Sequence, residues 1–346
     1  MTNFRNCLFI SFSLALFICT KVNAQDLHFS QFFEAPLLRN PSLAGIFNGD
    51  IRVQGIYRNQ WGAVTVPYKT GSFNLEIKHP IGHADDFITT GLQLVYDKAG
   101  ATDFTTSSVF PALNYHKSLS GEKRSYLSLG FMGGVIQRRL DRSKITTNSQ
   151  FDGRGFNPNM SNGETFAHSN YAYLDGSVGM TYNSAVTADK PDDNYFIGIA
   201  YHHFNRPRNT FYQRPDIELN PKWVFSGGVR FGVSETSYLT LQADHSIQGP
   251  SKETIGGAMY TVKIGNDLEK YDYAVSLGGF LRLQDAFIPV VKLDYNPFAI
   301  AFSYDVNVSE LKTASQGQGG MELSVTYTGF FNRDNSSQNS VRCPRF

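Results

Sequence analysis

The chain has 346 residues, a formal net charge of +1, 18% charged residues and 14% aromatic residues. This length allows one large domain or two ordinary ones, and the charged fraction is below the roughly 25% of a typical soluble protein. A near-neutral chain without basic runs argues against nucleic acid as a partner, because phosphate binding requires clustered positive charge.

The first 24 residues have the pattern of an export signal. Arg5 gives a positive start, residues 8–18 form an apolar run, and the motif Val-Asn-Ala ends in a small residue. The run is about eleven residues long, short of the roughly 20 that a membrane-spanning helix needs. We therefore predict a signal peptide over residues 1–24, with cleavage between Ala24 and Gln25.

Residues 25–48 show no regular period, yet they are rich in phenylalanine and leucine. A free, disordered segment is usually poor in such residues. If the strands that follow close into a barrel, we expect this segment to pack against it, either as a plug or as a periplasmic cap.

Strand-like segments then follow one another between residues 49 and 331. About fourteen can be distinguished, an even number, and their lengths suit tilted membrane strands of roughly 9–11 residues. They cover residues 50–57, 68–78, 87–96, 104–117, 125–137, 171–183, 194–204, 222–233, 237–247, 253–264, 270–283, 287–295, 298–306 and 320–331.

The connections between these segments differ in length according to their order. Short ones follow the even segments, whereas several odd segments are followed by long ones: residues 138–170, 205–221 and 307–319. A soluble β-sandwich has no reason for this sorting. An outer-membrane barrel has short periplasmic turns and longer extracellular loops.

The last segment shows the alternation most clearly. Met321, Leu323 and Val325 alternate with polar residues such as Glu322, so one face is apolar and the other is polar. Backbone groups in lipid must pair within the protein, and a closed sheet with an even number of strands satisfies this requirement. We predict an all-β fold, an outer-membrane β-barrel of about 14 antiparallel strands, rather than a soluble periplasmic or extracellular β-protein.

Residues 332–346 are expected to form a periplasmic C-terminal tail. Cleavage of the signal peptide leaves Cys343 as the only cysteine, so no intrachain disulfide is expected. This thiol is either inert or part of a docked tail.

Charged residues occupy the polar faces of the last four segments. One interpretation is a charged selectivity ring. The other is a lumen network of mixed-sign pairs, which the presence of both signs on neighbouring strands favours. The candidate residues are Asp272, Arg282, Lys292, Asp294, Asp305 and Glu322.

Two motifs contain residue types used in catalysis or metal binding. Asp244, His245 and Ser246 match a hydrolase triad in composition, and His202 lies next to His203. Neighbouring residues on a strand point to opposite faces, so neither set is expected to converge. We expect no catalytic activity, no cofactor and no metal site.

Two further groups of residues are candidates for architecture or partner contact. Polar positions at strand entries and exits fix turns and the plug or bind a partner: Asn40, Pro41, Arg58, Asn59, Gln60, Trp61, Asp97 and Lys98. The long loops 138–170 and 205–221 are candidate partner-binding loops, because extracellular loops often carry recognition. The second loop contains residue types common at interface hot spots, namely Phe211, Tyr212 and Arg214.

Several short motifs are spread along the chain. The segment QDLHFSQFFEAPLLRNPSLAG starts at Gln25, and the chain ends in CPRF. Between them lie YRNQW (57–61), GLQLVYDKAG (91–100), LNYHKSL (113–119), LRLQDAFIPVV (281–291) and FSYDVNVSELKTASQGQGGMELSV (302–325). Together these motifs resemble the PorP/SprF family of the type IX secretion and gliding apparatus.

This resemblance implies an outer-membrane barrel that works with a secretion machine and is not an open pore. Some family members are tied to periplasmic ring and peptidoglycan-binding components, and others are paired with a large secreted adhesin that carries a type B C-terminal sorting domain. The expected function is therefore non-catalytic: anchoring or escorting a type IX secreted surface protein, with both termini in the periplasm and outer-membrane lipid around the barrel. The alternatives are a structural link from the outer membrane to the periplasmic ring, and a passive diffusion channel.

Overall fold

The computed structural model describes residues 26–331, except residues 63–64, 82–84, 165–167, 191, 213–216, 266–271 and 310. The predicted signal peptide with its cleavage site at Ala24 and Gln25, and the C-terminal tail with Cys343, lie outside the described residues.

The described strands form one closed antiparallel barrel, in which each strand pairs with its neighbours in sequence. β1 closes the barrel by pairing with β14 from Ile51↔Gly329 to Gln60↔Gly320. The predicted barrel of about fourteen strands is therefore confirmed. The strands are β1 (Ile51–Gln60), β2 (Tyr68–Pro80), β3 (Phe87–Ala99), β4 (Phe104–Ser120), β5 (Ser125–Arg139), β6 (Asn170–Ala185), β7 (Asn194–His202), β8 (Lys222–Ser234), β9 (Ser237–Gln248), β10 (Ser251–Ile264), β11 (Tyr273–Arg282), β12 (Ala286–Tyr295), β13 (Phe298–Asn307) and β14 (Gln318–Gly329).

Short helical turns occur outside the strands. Three precede β1 (Phe32–Glu34, Pro36–Arg39 and Pro41–Leu43), two lie between β5 and β6 (Arg142–Lys144 and Asn148–Gln150), and one lies between β13 and β14 (Leu311–Ser315). Among the described residues, no helix has the length and apolar character to cross a membrane.

The barrel has a polar interior and an apolar exterior. On β14, the outward-facing Leu323 is 46% exposed, whereas the inward-facing Glu322 is 1% exposed. Aromatic pairs lie on the outer face near both ends of the barrel, for example Tyr201 with Trp223 and Tyr273 with Tyr295. This arrangement matches the lipid-facing band and aromatic girdles of outer-membrane barrels.

The two ends of the barrel differ in their connections. The β5–β6 connection (140–169) and the β7–β8 connection (203–221) lie at one end, which we call the long-loop mouth. The β8–β9 connection (235–236) and the β12–β13 connection (296–297) lie at the other end, the turn mouth.

Residues 26–48, which we call the plug, fill the interior. The plug bonds to strands all round the barrel: Gln31 to β14, Arg39 to β9, Asn40 to β6 and Gly45 to β2. A segment that reaches opposite walls at once lies within the lumen. The described part of this segment therefore packs against the inner face of the barrel wall.

The plug crosses the lumen from one mouth to the other. The backbone N–H of Asp26 donates to Gln248 Oε1 (3.1 Å), at the end of β9 in the long-loop mouth. The backbone N–H of Asp50 donates to the carbonyl of Gly329 (2.8 Å), and the Asp50 carboxylate accepts from the backbone N–H of Phe331 (2.8 Å). Both bonds lie at the turn mouth. The first described residue, Asp26, and the last, Phe331, therefore lie at opposite mouths, because the chain traverses the barrel before β1 begins.

An epitope-tagging experiment tests this placement. In three variants, one epitope is inserted directly before Asp26, after Asn159 in the β5–β6 loop, or after Phe346. We expect the first two epitopes to be accessible from the same side of the outer membrane and the third from the other side, as measured by antibody binding before and after permeabilisation. If the epitope before Asp26 shares the side of the C-terminal epitope, the crossing is wrong.

Candidate functional site

A buried cluster of charges lies between β1, β11, β13 and β14. Asp305 Oδ2 accepts from Arg282 Nη2 (2.6 Å) and from Arg58 Nη2 (3.1 Å). Arg58 Nε lies 3.2 Å from Glu322 Oε1. Two arginines thus face two carboxylates, so the buried charges balance and do not form a single-sign ring.

This cluster also binds the plug backbone. The carboxylate of Glu322 accepts from the N–H groups of Ser30 and Gln31, each at 2.7 Å. Arg58 Nη1 donates to the carbonyl of His28. The wall side chains therefore satisfy plug backbone groups that have no regular secondary structure to pair with.

A second ion pair ties the plug to β12. Lys292 Nζ lies 2.6 Å from Glu34 Oε1, and Asp294 is further away at 3.9 Å. The other oxygen of Glu34 accepts from Thr326 Oγ1 (3.1 Å). Asp272, in contrast, lies outside these clusters: it precedes β11 and its side chain is exposed, so its assignment to the lumen network is wrong.

Arg39 makes a bidentate pair with Asp244 on β9. Its Nε and Nη2 donate to the two carboxylate oxygens at 2.7 and 2.6 Å, and Nη1 donates to Gln242 Oε1 at 3.0 Å. The guanidinium also lies over the rings of Phe32 and Phe196, at 4.7 and 5.5 Å from their centroids. Such planar, multiply bonded geometry fixes the plug in one orientation.

Asn40 and Pro41 dock into gaps left by glycines on β5 and β6. A Cβ on Gly179 would lie 1.8 Å from Asn40 Oδ1, and one on Gly130 would lie 2.4 Å from the carbonyl carbon of Pro41. Asn40 Oδ1 accepts from the backbone N–H of Ser42 (2.9 Å) and so fixes the turn. The Asn-Pro motif therefore contributes to plug packing.

The motif at the end of β1 lies at the long-loop mouth. Asn59 and Gln60 are half-buried residues of the strand ladder. Trp61 follows with a φ of 61°, its N–H donates to the carbonyl of Gly319 (2.9 Å), and its ring packs edge-on against Tyr68 (4.8 Å). These contacts fix the turn that leaves β1.

Asp97 and Lys98 make separate contacts near the end of β3. The carboxylate of Asp97 accepts from Thr70 Oγ1 on β2 (2.7 Å). Lys98 pairs with Asp103 (2.8 Å), which also pairs with Lys144. These hydrogen-bonded lysines lower the pKa of the Asp103 carboxyl, with Lys144 contributing most.

The described parts of the two long connections contact each other and form one surface, the loop platform (residues 140–164, 168–169, 203–212 and 217–221). The ring of Phe211 packs edge-on against Tyr171 (4.8 Å), and the hydroxyl of Tyr212 donates to Glu164 Oε2 (3.2 Å). Arg214 lies outside the described residues. Large apolar side chains are exposed on the platform: Phe151, Phe156, Met160, Phe204, Tyr212 and Ile217.

Sequence reasoning missed a buried ionic contact at His203. β7 ends at His202, and His203 follows with a φ of 57°, which turns its side chain inward. The rings of His202 and His203 are therefore both buried, although strand alternation predicted opposite faces. His203 lies between Asp26 and Asp175, at 2.6 and 2.7 Å.

Neighbouring residues of the triad-like motif on β9 point to opposite faces of the sheet, as the alternation predicts. Asp244 points into the lumen toward Arg39, whereas His245 Nδ1 is hydrogen-bonded to Thr254 Oγ1 on β10 (2.8 Å). In the described part of the chain, no group of three or more His, Cys, Asp or Glu residues is placed to hold a metal ion.

Comparison with known proteins gives one family. A protein-family profile described as type IX secretion system membrane protein PorP/SprF matches residues 21–327. A search of curated protein sequences gives no match. The family match covers most of the chain.

The similar solved structures are bacterial barrels of low sequence identity. The toluene transporter TodX of P. putida has a TM-score of 0.46 and 11% identity, over 87% of this chain and 95% of that chain. CdiB from Acinetobacter baumannii has a TM-score of 0.42 and 10% identity, over 80% of this chain. The match spans 60% of the length of CdiB.

Removing one charge from the buried cluster tests its role in stability. Asp305→Asn keeps the shape of the side chain but leaves Arg58 and Arg282 without their shared carboxylate. We expect the free energy of unfolding to fall by about 3 kcal/mol, the lower end for a broken buried pair, because Arg58 keeps Glu322 and Arg282 keeps Asp285 as partners. Urea unfolding of the protein in lipid vesicles, followed by migration on unheated gels, measures this change.

The matched control is Asp103→Asn, which removes a carboxylate from an exposed ion pair at the long-loop mouth. Little or no change is expected for this variant, because exposed pairs contribute little to stability. Equal stability of the two variants would contradict the structural role of the buried cluster.

Proposed function

We propose that this chain, which belongs to the PorP/SprF family of type IX secretion system membrane proteins, anchors or escorts a secreted surface protein. This partner carries a type B C-terminal sorting domain, and the barrel itself is non-catalytic. The observation that carries the proposal is the filled lumen: the interior is occupied by the chain's own plug, which leaves the outer surfaces for partners.

The filled lumen argues against the passive diffusion channel. Ion pairs from Arg39 and Glu34 cross from the plug to β9 and β12, and Asn40 docks on β6. Between the plug and the wall remains a cavity of about 50 Å³, lined in part by Val224 and Ile255. On this measure a water molecule needs roughly 10–15 Å³, so the cavity has room for a few water molecules only.

The loop platform is the surface best suited to the partner. Its exposed aromatic and apolar side chains include Phe151, which is 60% exposed, and Tyr212, which is 46% exposed. Such residues commonly supply the energetically important contacts at interfaces. The hydrogen bonds from Tyr212 to Glu164 and from the N–H of His168 to the carbonyl of Phe211 hold the two loops together as one surface.

Shortening the loops tests the anchoring role. The protein is tagged in its native host, extracted in mild detergent, and its copurifying proteins are identified by mass spectrometry. We expect a large secreted protein with a C-terminal sorting domain to copurify. In variants that lack residues 148–162 or residues 208–218, we expect most of this protein to be lost while the barrel still migrates as folded on unheated gels.

The outcomes separate two roles in the secretion system. Recovery of periplasmic ring and peptidoglycan-binding components alone would contradict the anchoring proposal and would support a structural link to the ring. Undiminished recovery of the secreted protein from both loop variants would exclude the loop platform as its binding surface.

A conductance measurement tests whether the plug closes the barrel. Gly179→Ala places a Cβ 1.8 Å from Asn40 Oδ1 and should displace the plug, whereas Gly55→Ala places its Cβ in open space. In planar bilayers we expect near silence from the wild type and from Gly55→Ala, and steady currents from Gly179→Ala and from a variant without residues 26–47. Large currents from the wild type would support a channel instead.

A further inference from the structure

We propose that Asp26, His203 and Asp175 form a latch that holds the first residues of the plug against the wall at the long-loop mouth. When the latch breaks, residues 26–28, which we call the strap, swing away from the wall while the rest of the plug stays docked. The barrel thereby has a small movable element at the mouth that carries the loop platform.

The geometry of the latch requires a protonated histidine. His203 Nε2 lies 2.6 Å from Asp26 Oδ2, and His203 Nδ1 lies 2.7 Å from Asp175 Oδ2. Carboxylate oxygens accept hydrogen bonds, so both ring nitrogens donate, which only the imidazolium form does. The strap is thus held by two charge-assisted hydrogen bonds in series.

The charges around His203 favour this form. Burial by itself lowers the pKa of His203, but the adjacent carboxylates of Asp26 and Asp175 outweigh this effect and raise the pKa to about 9. The imidazolium therefore persists through neutral pH.

The other groups near the latch come from β6, β7 and β8. His202 Nε2 donates to the carbonyl of Arg39 (3.1 Å), which holds the ring of His202 in place. Lys222 on β8 interacts electrostatically with Asp26, and Tyr173 on β6 interacts electrostatically with both carboxylates. None of these groups replaces His203 as the donor between the two carboxylates.

The pH at which the latch weakens follows from the direction of the shift. The pKa of His203 in the folded protein, about 9, lies above its ordinary value of 6.5. The contribution of protonated His203 to holding the strap is therefore complete below pH 6.5 and is lost as the pH rises through about 9.

The strap is held less extensively than the rest of the plug. Asp26, Leu27 and His28 are only partly buried, whereas the residues from Phe29 to Phe32 are fully buried. Beyond the latch, the strap bonds through the N–H of Asp26 to Gln248 and through the carbonyl of His28 to Arg58, and His28 Nδ1 lies 3.5 Å from Glu253 Oε2. The glycine gaps and the ion pairs fix the later residues, so opening stops near Phe29.

A cleft lies directly behind the strap. Leu27 and His28 form one side of it, and Val224, Glu253 and Ile255 form part of the other. Its volume of about 50 Å³ is small while the strap is closed. Movement of the strap removes one wall and joins the cleft to the long-loop mouth.

Spin labelling measures the strap directly. Leu27→Cys is combined with Cys343→Ser and labelled with a nitroxide in the purified full-length protein, and the mobility of the label is recorded at pH 7 and pH 10. We expect an immobile label at pH 7 and a mobile label at pH 10. His203→Gln should release the strap already at pH 7, raising the ratio of mobile to immobile label by about tenfold or more, because a buried charge-assisted bond is lost.

The control is His245→Gln, which removes a histidine that bonds to Thr254 and does not contact the plug. This variant should keep the label immobile at pH 7. A label that stays immobile in His203→Gln, or that shows no change between pH 7 and pH 10 in the otherwise unaltered protein, would overturn the latch. The pH comparison requires no change at His203, so it remains decisive even where His203→Gln fails to fold.

Discussion

The structure depends on one constraint: in lipid, every backbone N–H and C=O group must find its partner within the protein. The sheet meets it by closing β1 onto β14, which leaves no free edge. Closure also decides where side chains go. Outward residues such as Leu323 must be apolar, and inward residues such as Glu322 are free to be polar.

A closed barrel encloses an interior that must be filled by water or by protein. Here the plug fills it, and the plug has little regular structure of its own. Its backbone and charges are instead satisfied by the wall, as Ser30 and Gln31 are by Glu322, and Arg39 is by Asp244. Because a buried charge without a partner is strongly destabilising, these pairs hold the plug in one position. In a barrel filled in this way, the loops are the surface that the proposed function assigns to a partner.

The strands could be predicted from the sequence because a period of two is local information. The same alternation placed Arg282, Asp305 and Glu322 on inward faces, and these residues meet in one cluster. The lumen position predicted for Asp272 was wrong because β11 begins one residue later, at Tyr273. The plug partners lacked any local signal: Glu34 and Lys292 are 258 residues apart and meet only through barrel closure. His203 was missed because its positive φ ends the alternation of β7.

Hydrogen exchange of the plug amides, in the protein embedded in lipid, tests the central claim that the chain seals its own barrel. The amides of Ser30, Gln31 and Gly45 donate to buried carboxylates of the wall, so they should exchange as slowly as amides within the strands. Exchange as fast as that of the exposed loop residues 151–160 would mean that the plug leaves the lumen, and would contradict the account.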